Sequence, residues 1–227
     1  MMRIIPLITA LLLAATASAQ EHLQQKALAS DAKKTFTVVK ENPITSVKNQ
    51  HRSGTCWAYA TLGYFESEIL RKTGKTYDLC EMFAVNKDYM DCATHYVRMH
   101  GYSQISEGGS CDDVLDVIRR HGICPEEAMP APGSLVGDSL ANFKVFFPEL
   151  ERMVSSIVKK GAKEPMLHWQ DSVQAVIEKY VGRCPDTFVY EGRTFTPKSF
   201  AASLGLDLDA YVSLTSFTHH PFNQWFV

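Results

Sequence analysis

The chain has 227 residues, 45% hydrophobic and 21% charged, with a formal net charge of -2. That balance excludes a disordered or fibrous polymer and suffices for a sizeable core. With no run of Lys or Arg there is no electrostatic footprint for nucleic acid or an anionic membrane surface, so neither is expected as a partner.

In chain order, Arg3 precedes an apolar run from Ile4 to Ala15, and Ala17-Ser18-Ala19 supplies the small-x-small pattern that signal peptidase cuts. Residues 1–19 are therefore expected to be a signal peptide cleaved near Ala19, with export to the periplasm or exterior. No later stretch approaches the roughly 20 apolar residues of a membrane span. Residues 20–40 read as a polar, mobile arm leading into an extended segment, Thr35 to Lys40. The Asn42-Pro43 pair favours a turn.

After Gly54 the period becomes helical. Ala58, Leu62, Phe65 and Ile69 form one apolar stripe, and Gly74 is a C-terminal cap. A second helix is expected from about Glu81 to His100, with Met82, Val85, Tyr89, Ala93 and Tyr96 on one side and Gly101 as its stop. A third follows Gly108-Gly109, where Ser110 caps and Asp113 takes the Glu position of a capping box; Val114, Val117 and Ile118 face inward. Gly122 and Pro125 close it. Helical spacing recurs from Pro148 to Lys160 and from Asp171 to Val181. Thr187–Tyr190 and Arg193–Thr196 around Glu191-Gly192 read as a β-hairpin, and a last helix runs from Pro197 to Leu204.

An exported chain meets oxidising conditions, so Cys56, Cys80, Cys92, Cys111, Cys124 and Cys184 could form disulfides; their spacing specifies no pairing. No C-x-x-C spacing suggests zinc, and neither a metal nor a cofactor is expected.

The chemistry concentrates in Val47-Lys48-Asn49-Gln50-His51-Arg52-Ser53-Gly54-Thr55-Cys56-Trp57-Ala58. A Cys at the start of a helix has its thiolate stabilised by free N–H groups and the positive dipole end. Gly54 permits the tight entry, the Cys56 N–H can face an oxyanion, and the Gln50 amide can return across the turn as a second donor. Those parts make an acyl-transfer half-site. His51, on the same turn, is expected to point to solvent.

This stretch resembles the papain family's nucleophile region, in which V-K-N-Q precedes G-x-C-W-A. The resemblance assigns Cys56 as nucleophile and Gln50 as oxyanion donor. It also implies that Gly108, Gly109 and Trp57 line the cleft and bind peptide substrate. Within the family the bleomycin hydrolase, or aminopeptidase C, branch is the closer likeness. It is carried by Tyr77-Asp78-Leu79-Cys80-Glu81, Tyr96-Val97-Arg98-Met99-His100-Gly101, Tyr190-Glu191-Gly192, Thr196-Pro197-Lys198-Ser199-Phe200 and Tyr211-Val212-Ser213-Leu214-Thr215-Ser216-Phe217. Cys80 replaces the branch's usual serine, Ser53 stands where papain has a disulfide cysteine, and Thr55 adds bulk beside the nucleophile. Aminopeptidase specificity and homo-oligomeric assembly are implied by the branch alone.

A cysteine peptidase also needs an imidazole to take the thiol proton and a group to orient that ring. The family's downstream His and Asn-Ser-Trp-Gly surroundings are not found. His219, His220 and Asn223 superficially echo Asn-x-Trp, but three or four residues interrupted by Pro221 leave no room for the hairpin that would join them. The expected fold is therefore α+β and papain-like: mainly the helical first lobe with a helical insertion over residues 41–227, the second β-barrel lobe missing. The expected function is cysteine-type peptide hydrolysis. The alternative is a truncated, inactive remnant or binding protein.

Overall fold

The computed structural model describes residues 37–132, 140–161, 163, 167–212, 214 and 221–224. The expected signal peptide, most of the expected arm, His219 and His220 lie outside them. The chain divides into two compact units, residues 1–41 and 42–227. Of the first, residues 37–41 are described, and they carry no helix or strand.

In the second unit, helix α1, Cys56–Thr73, buries Ala58, Leu62, Phe65 and Ile69 as their spacing requires, together with Trp57, Thr61 and Glu66. Gly74 ends it at φ 71°, its N–H donating to Leu70 O. Helix α2, Glu81–Arg98, stops short of His100 because His100 (φ 52°) and Gly101 (φ 81°) turn left-handed, and the Gly101 N–H closes on Tyr96 O at 2.9 Å. Helix α3, Cys111–His121, carries the expected capping box between Ser110 and Asp113. It ends at Gly122, where φ is 82° and a Cβ would collide with the Pro197 backbone.

Helices α4, Phe146–Gly161, and α5, Trp169–Val181, both start slightly before the expected points. Strands β1, Phe188–Tyr190, and β2, Arg193–Phe195, pair antiparallel with Phe188 opposite Phe195. Glu191 (φ 48°) and Gly192 (φ 75°) form the two-residue turn between them, both in the left-handed region that such hairpins need. Helix α6, Pro197–Ser203, begins with Pro at its first turn and a Thr196–Ser199 capping box. Short 3-10 turns at Glu126–Ala128 and Leu208–Ala210 had no periodic signal.

Helix α2 is the hub, packed against α1, α3, α4 and α5. Its Tyr89 is fully buried beside Phe143, Phe146 and Phe147. Burying each such ring contributes on the order of 2–3 kcal/mol. The hairpin's Phe188 and Phe195 close on Phe200 of α6. Among the described residues the sheet content is this one hairpin, so the mainly helical lobe is as expected and no second lobe is evident among them.

Candidate active site

The turn entering α1 is built from small polar residues. Gly54 sits at φ 64°, and a Cβ there would run into the Glu107 side chain. The Thr55 carbonyl starts the helix, accepting from the N–H groups of Ala58 (3.0 Å) and Tyr59 (3.3 Å). Cys56 therefore occupies the first helical position and is exposed, at the positive end of an 18-residue helix.

Ser53 and Thr55 are fully buried. The Ser53 hydroxyl donates to Gln50 O at 2.8 Å and lies 2.5 Å from Thr55 Oγ1. This corrects one expectation: the bulk of Thr55 lies beneath the turn, not beside the nucleophile, because its hydroxyl is satisfied there by Ser53. The Ser53 hydroxyl holds the Gln50 backbone, and Thr55 Oγ1 braces Ser53 from beneath.

A second expectation also changes. His51 (φ 51°) is an exposed residue, but its ring does not simply point to solvent: Nδ1 lies 2.9 Å from Ala141 O, and its backbone N–H donates to Asn49 Oδ1. The same carbonyl accepts from the Arg52 N–H (3.1 Å), and the Phe143 N–H donates back to Arg52 O (2.9 Å). This forms a short parallel bridge. Ala141 and Phe143 are buried, so the insertion clamps the turn from behind. No local signal in the sequence announced that clamp.

Gly108 and Gly109 are exposed on the loop before α3. The Trp57 indole N–H (3.1 Å) and the Tyr89 hydroxyl (2.9 Å) both donate to Glu107 O. A Cβ on Gly109 would lie 2.8 Å from the Trp57 ring. Trp57, 5% exposed, thus lies under the loop and fixes its height. Trp57, next to Cys56 in the chain, and Gly109 are in this way brought together, and the Gln50 carbonyl is tied to the turn by Ser53.

On the other side of Cys56 runs a groove of about 650 Å³, lined by Tyr59, Ala60, Gly63 and Tyr64 of α1 and by residues 42–48. Beneath it Lys48 forms ion pairs with Glu66 (3.3 Å), Glu81 (2.8 Å) and Asp78. Glu66 also accepts from Thr45 Oγ1 (2.6 Å) and the Leu79 N–H (2.7 Å). Burial opposes the charge on Lys48, but Glu81 and Glu66 outweigh it and hold its pKa above the ordinary value. Burial pushes Glu81 up to about 8 against the pull of Lys48. The lysine locks the segment bearing Gln50 onto α1 and α2.

Behind the glycine loop lies an acidic cluster. Asp88 of α2 is buried, and its carboxyl accepts from the Cys92 thiol at 3.8 Å. Burial first, then Asp113 and Asp91, raise Asp88 to about 7. Asp91 is paired with Arg120 (2.7 Å) and His121 (2.8 Å). Among the described residues no His, Cys, Asp or Glu group is arranged to hold a metal.

Residues 31–159 match the papain family cysteine protease pattern. The chain belongs to the papain family. Its similar relatives include a cathepsin L-like protein of Caenorhabditis elegans, 36% identical over 91 residues, and a viral cathepsin of Spodoptera exigua nuclear polyhedrosis virus, 37% identical over 76 residues. The senescence-specific cysteine protease SAG39 of Oryza sativa is 26% identical over 145 residues. These matches cover 40%, 33% and 61% of this chain and only 24%, 23% and 40% of the relatives, so less than half of each relative is spanned. The crystal structure of PepW from Lactobacillus rhamnosis HN001 superposes with a TM-score of 0.59 at 18% identity, over 86% of this chain and 53% of PepW. The fold of this papain-family chain is thus papain-like.

Proposed function

We propose that the site performs thiol-dependent acyl transfer on peptides, with Cys56 as nucleophile and its own N–H and the Gln50 side chain as oxyanion donors. The observation that carries this reading is an exposed cysteine at the first position of a long helix, on a turn held at Gln50, Arg52 and Ser53. The glycine loop resting on Trp57 offers exposed backbone to pair with an extended peptide, and we assign substrate binding to Gly108 and Gly109.

The finer reading is a peptidase of the bleomycin hydrolase branch. It rests on the branch motifs and agrees with a PepW-like fold over most of the chain, while the sequence relatives are cathepsin-like. Peptides with free and acetylated N-termini separate the two: aminopeptidase action needs the free amine, endopeptidase action does not.

A second reading, peptide binding without turnover, is favoured by His51, the histidine nearest Cys56 in sequence, whose Nδ1 is engaged by Ala141 O. Alkylation by iodoacetamide, read by intact mass on the chain and its Cys56→Ser variant, tests the nucleophile. Labelling of Cys56 no faster than free cysteine at neutral pH overturns the catalytic reading. Fast labelling without hydrolysis of any peptide selects the binding reading.

A further inference from the structure

Cys80 and Cys124 lie away from the nucleophile, on two short extended segments that meet in an antiparallel bridge at Leu79 and Pro125. The Cys80 N–H donates to Cys124 O at 3.0 Å, and the Glu126 N–H donates to Asp78 O at 2.8 Å. That register sets Cys80 directly opposite Cys124. Residues opposed in this way have Cα atoms about 5.5 Å apart, within the roughly 4.4–6.8 Å that disulfides span. Both residues are fully buried, and Cys124 is close enough to add to the upward push on the Cys80 thiol.

We propose that Cys80 and Cys124 are an oxidative modification site, joined as a cross-strand disulfide when the chain folds in an oxidising compartment. The oxidant is a second disulfide, carried by a thiol–disulfide oxidoreductase or by oxidised glutathione. One thiolate attacks it to give a mixed disulfide, and the other displaces the carrier sulfur. Two S–H bonds are lost and one S–S bond forms; two protons and two electrons leave on the carrier's two thiols. The bridge ties the residue capping α2 to the segment that follows α3, the two helices flanking the glycine loop. Burial raises the Cys80 thiol well above its ordinary pKa, so the folded, reduced pair reacts slowly, and the bond is made while the segments are still closing.

The full chain, unfolded in urea with reductant, is refolded in a glutathione redox buffer, acid-quenched, unfolded and treated with N-ethylmaleimide. Four adducts are expected, and digestion should yield one linked peptide pair carrying Cys80 and Cys124 that reduction separates. Six adducts on a refolded chain, or a link from Cys124 to the neighbouring Cys184, would overturn the proposal. Chain purified natively from an exporting host gives the same readout if refolding fails. In a second measurement, the urea midpoint of the wild type should fall on adding dithiothreitol while that of Cys80→Ser/Cys124→Ser stays put. A wild-type midpoint indifferent to reductant would likewise refute it.

Discussion

Replacing Asp88 by Asn probes the carboxyl that α2 buries behind the glycine loop. The folded pKa is raised from 3.8 to about 7, so the native state holds the proton more tightly than the unfolded chain does. The stabilisation this represents is complete below about pH 4 and is lost as pH rises through about 7. Three pKa units correspond to about 4 kcal/mol, and local relaxation leaves on the order of 3 kcal/mol. Asp91 and Asp113 oppose ionisation of Asp88; Cys92 and Arg120 favour it, too weakly to win. Asn is neutral and of nearly the same shape, so Asp88→Asn should be more stable than wild type at pH 8 and nearly equal to it at pH 4.5.

Urea unfolding followed by tryptophan fluorescence across that range reads this directly. At slopes of about 1–3 kcal/mol/M the pH 8 midpoints should differ by about 1 M or more. Glu81, raised to about 8, adds a step of the same sign in both proteins, so the difference between the curves isolates Asp88. Parallel pH profiles, or a variant less stable at pH 8, would refute the reasoning.

Lys48→Met should leave Glu66 and Glu81 buried without their cation and cost about 3–5 kcal/mol by urea unfolding at pH 7. Gly109→Ala drives a Cβ into the Trp57 ring, so the loop must lift; under the proposed acyl-transfer reading peptide hydrolysis should drop at least about tenfold with the far-UV circular dichroism unchanged, and wild-type kcat/KM would contradict the assignment of substrate binding to the glycine loop. Phe143→Ala removes a ring packed against Tyr89 and Phe146 and should destabilise by about 3–5 kcal/mol. It should also slow Cys56 alkylation, because the bridge to Arg52 loosens.

Helix positions were readable because apolar spacing and end signals agreed: the Ala58–Ile69 stripe with Gly74, and Ser110 with Asp113, each give both a face and a boundary. The turn into α1 was legible for the same reason, since Gln50, Gly54 and Cys56 lie close together in sequence. What escaped was long-range. The carbonyl of Ala141 holding Arg52, the indole N–H of Trp57 and the hydroxyl of Tyr89 on Glu107, and the carboxylates around Lys48 pair residues distant in the chain by backbone groups or common side chains. Neither periodicity nor motif encodes such pairs. Thr55 was misread because a side chain's neighbour in sequence need not be its neighbour in the cleft.

The clamp at Ala141 also has a consequence in time. Contacts between residues 90 positions apart, as His51 and Ala141 are, close late because the intervening loop must first be ordered. Helix α1 needs no such contact to form. During synthesis the chain therefore carries a helical Cys56 before anything grips the residues leading into it, and the turn before Cys56 is fixed only once residues 141–143 dock. Pulsed alkylation during refolding should accordingly show helical signal rising ahead of any change in Cys56 reactivity.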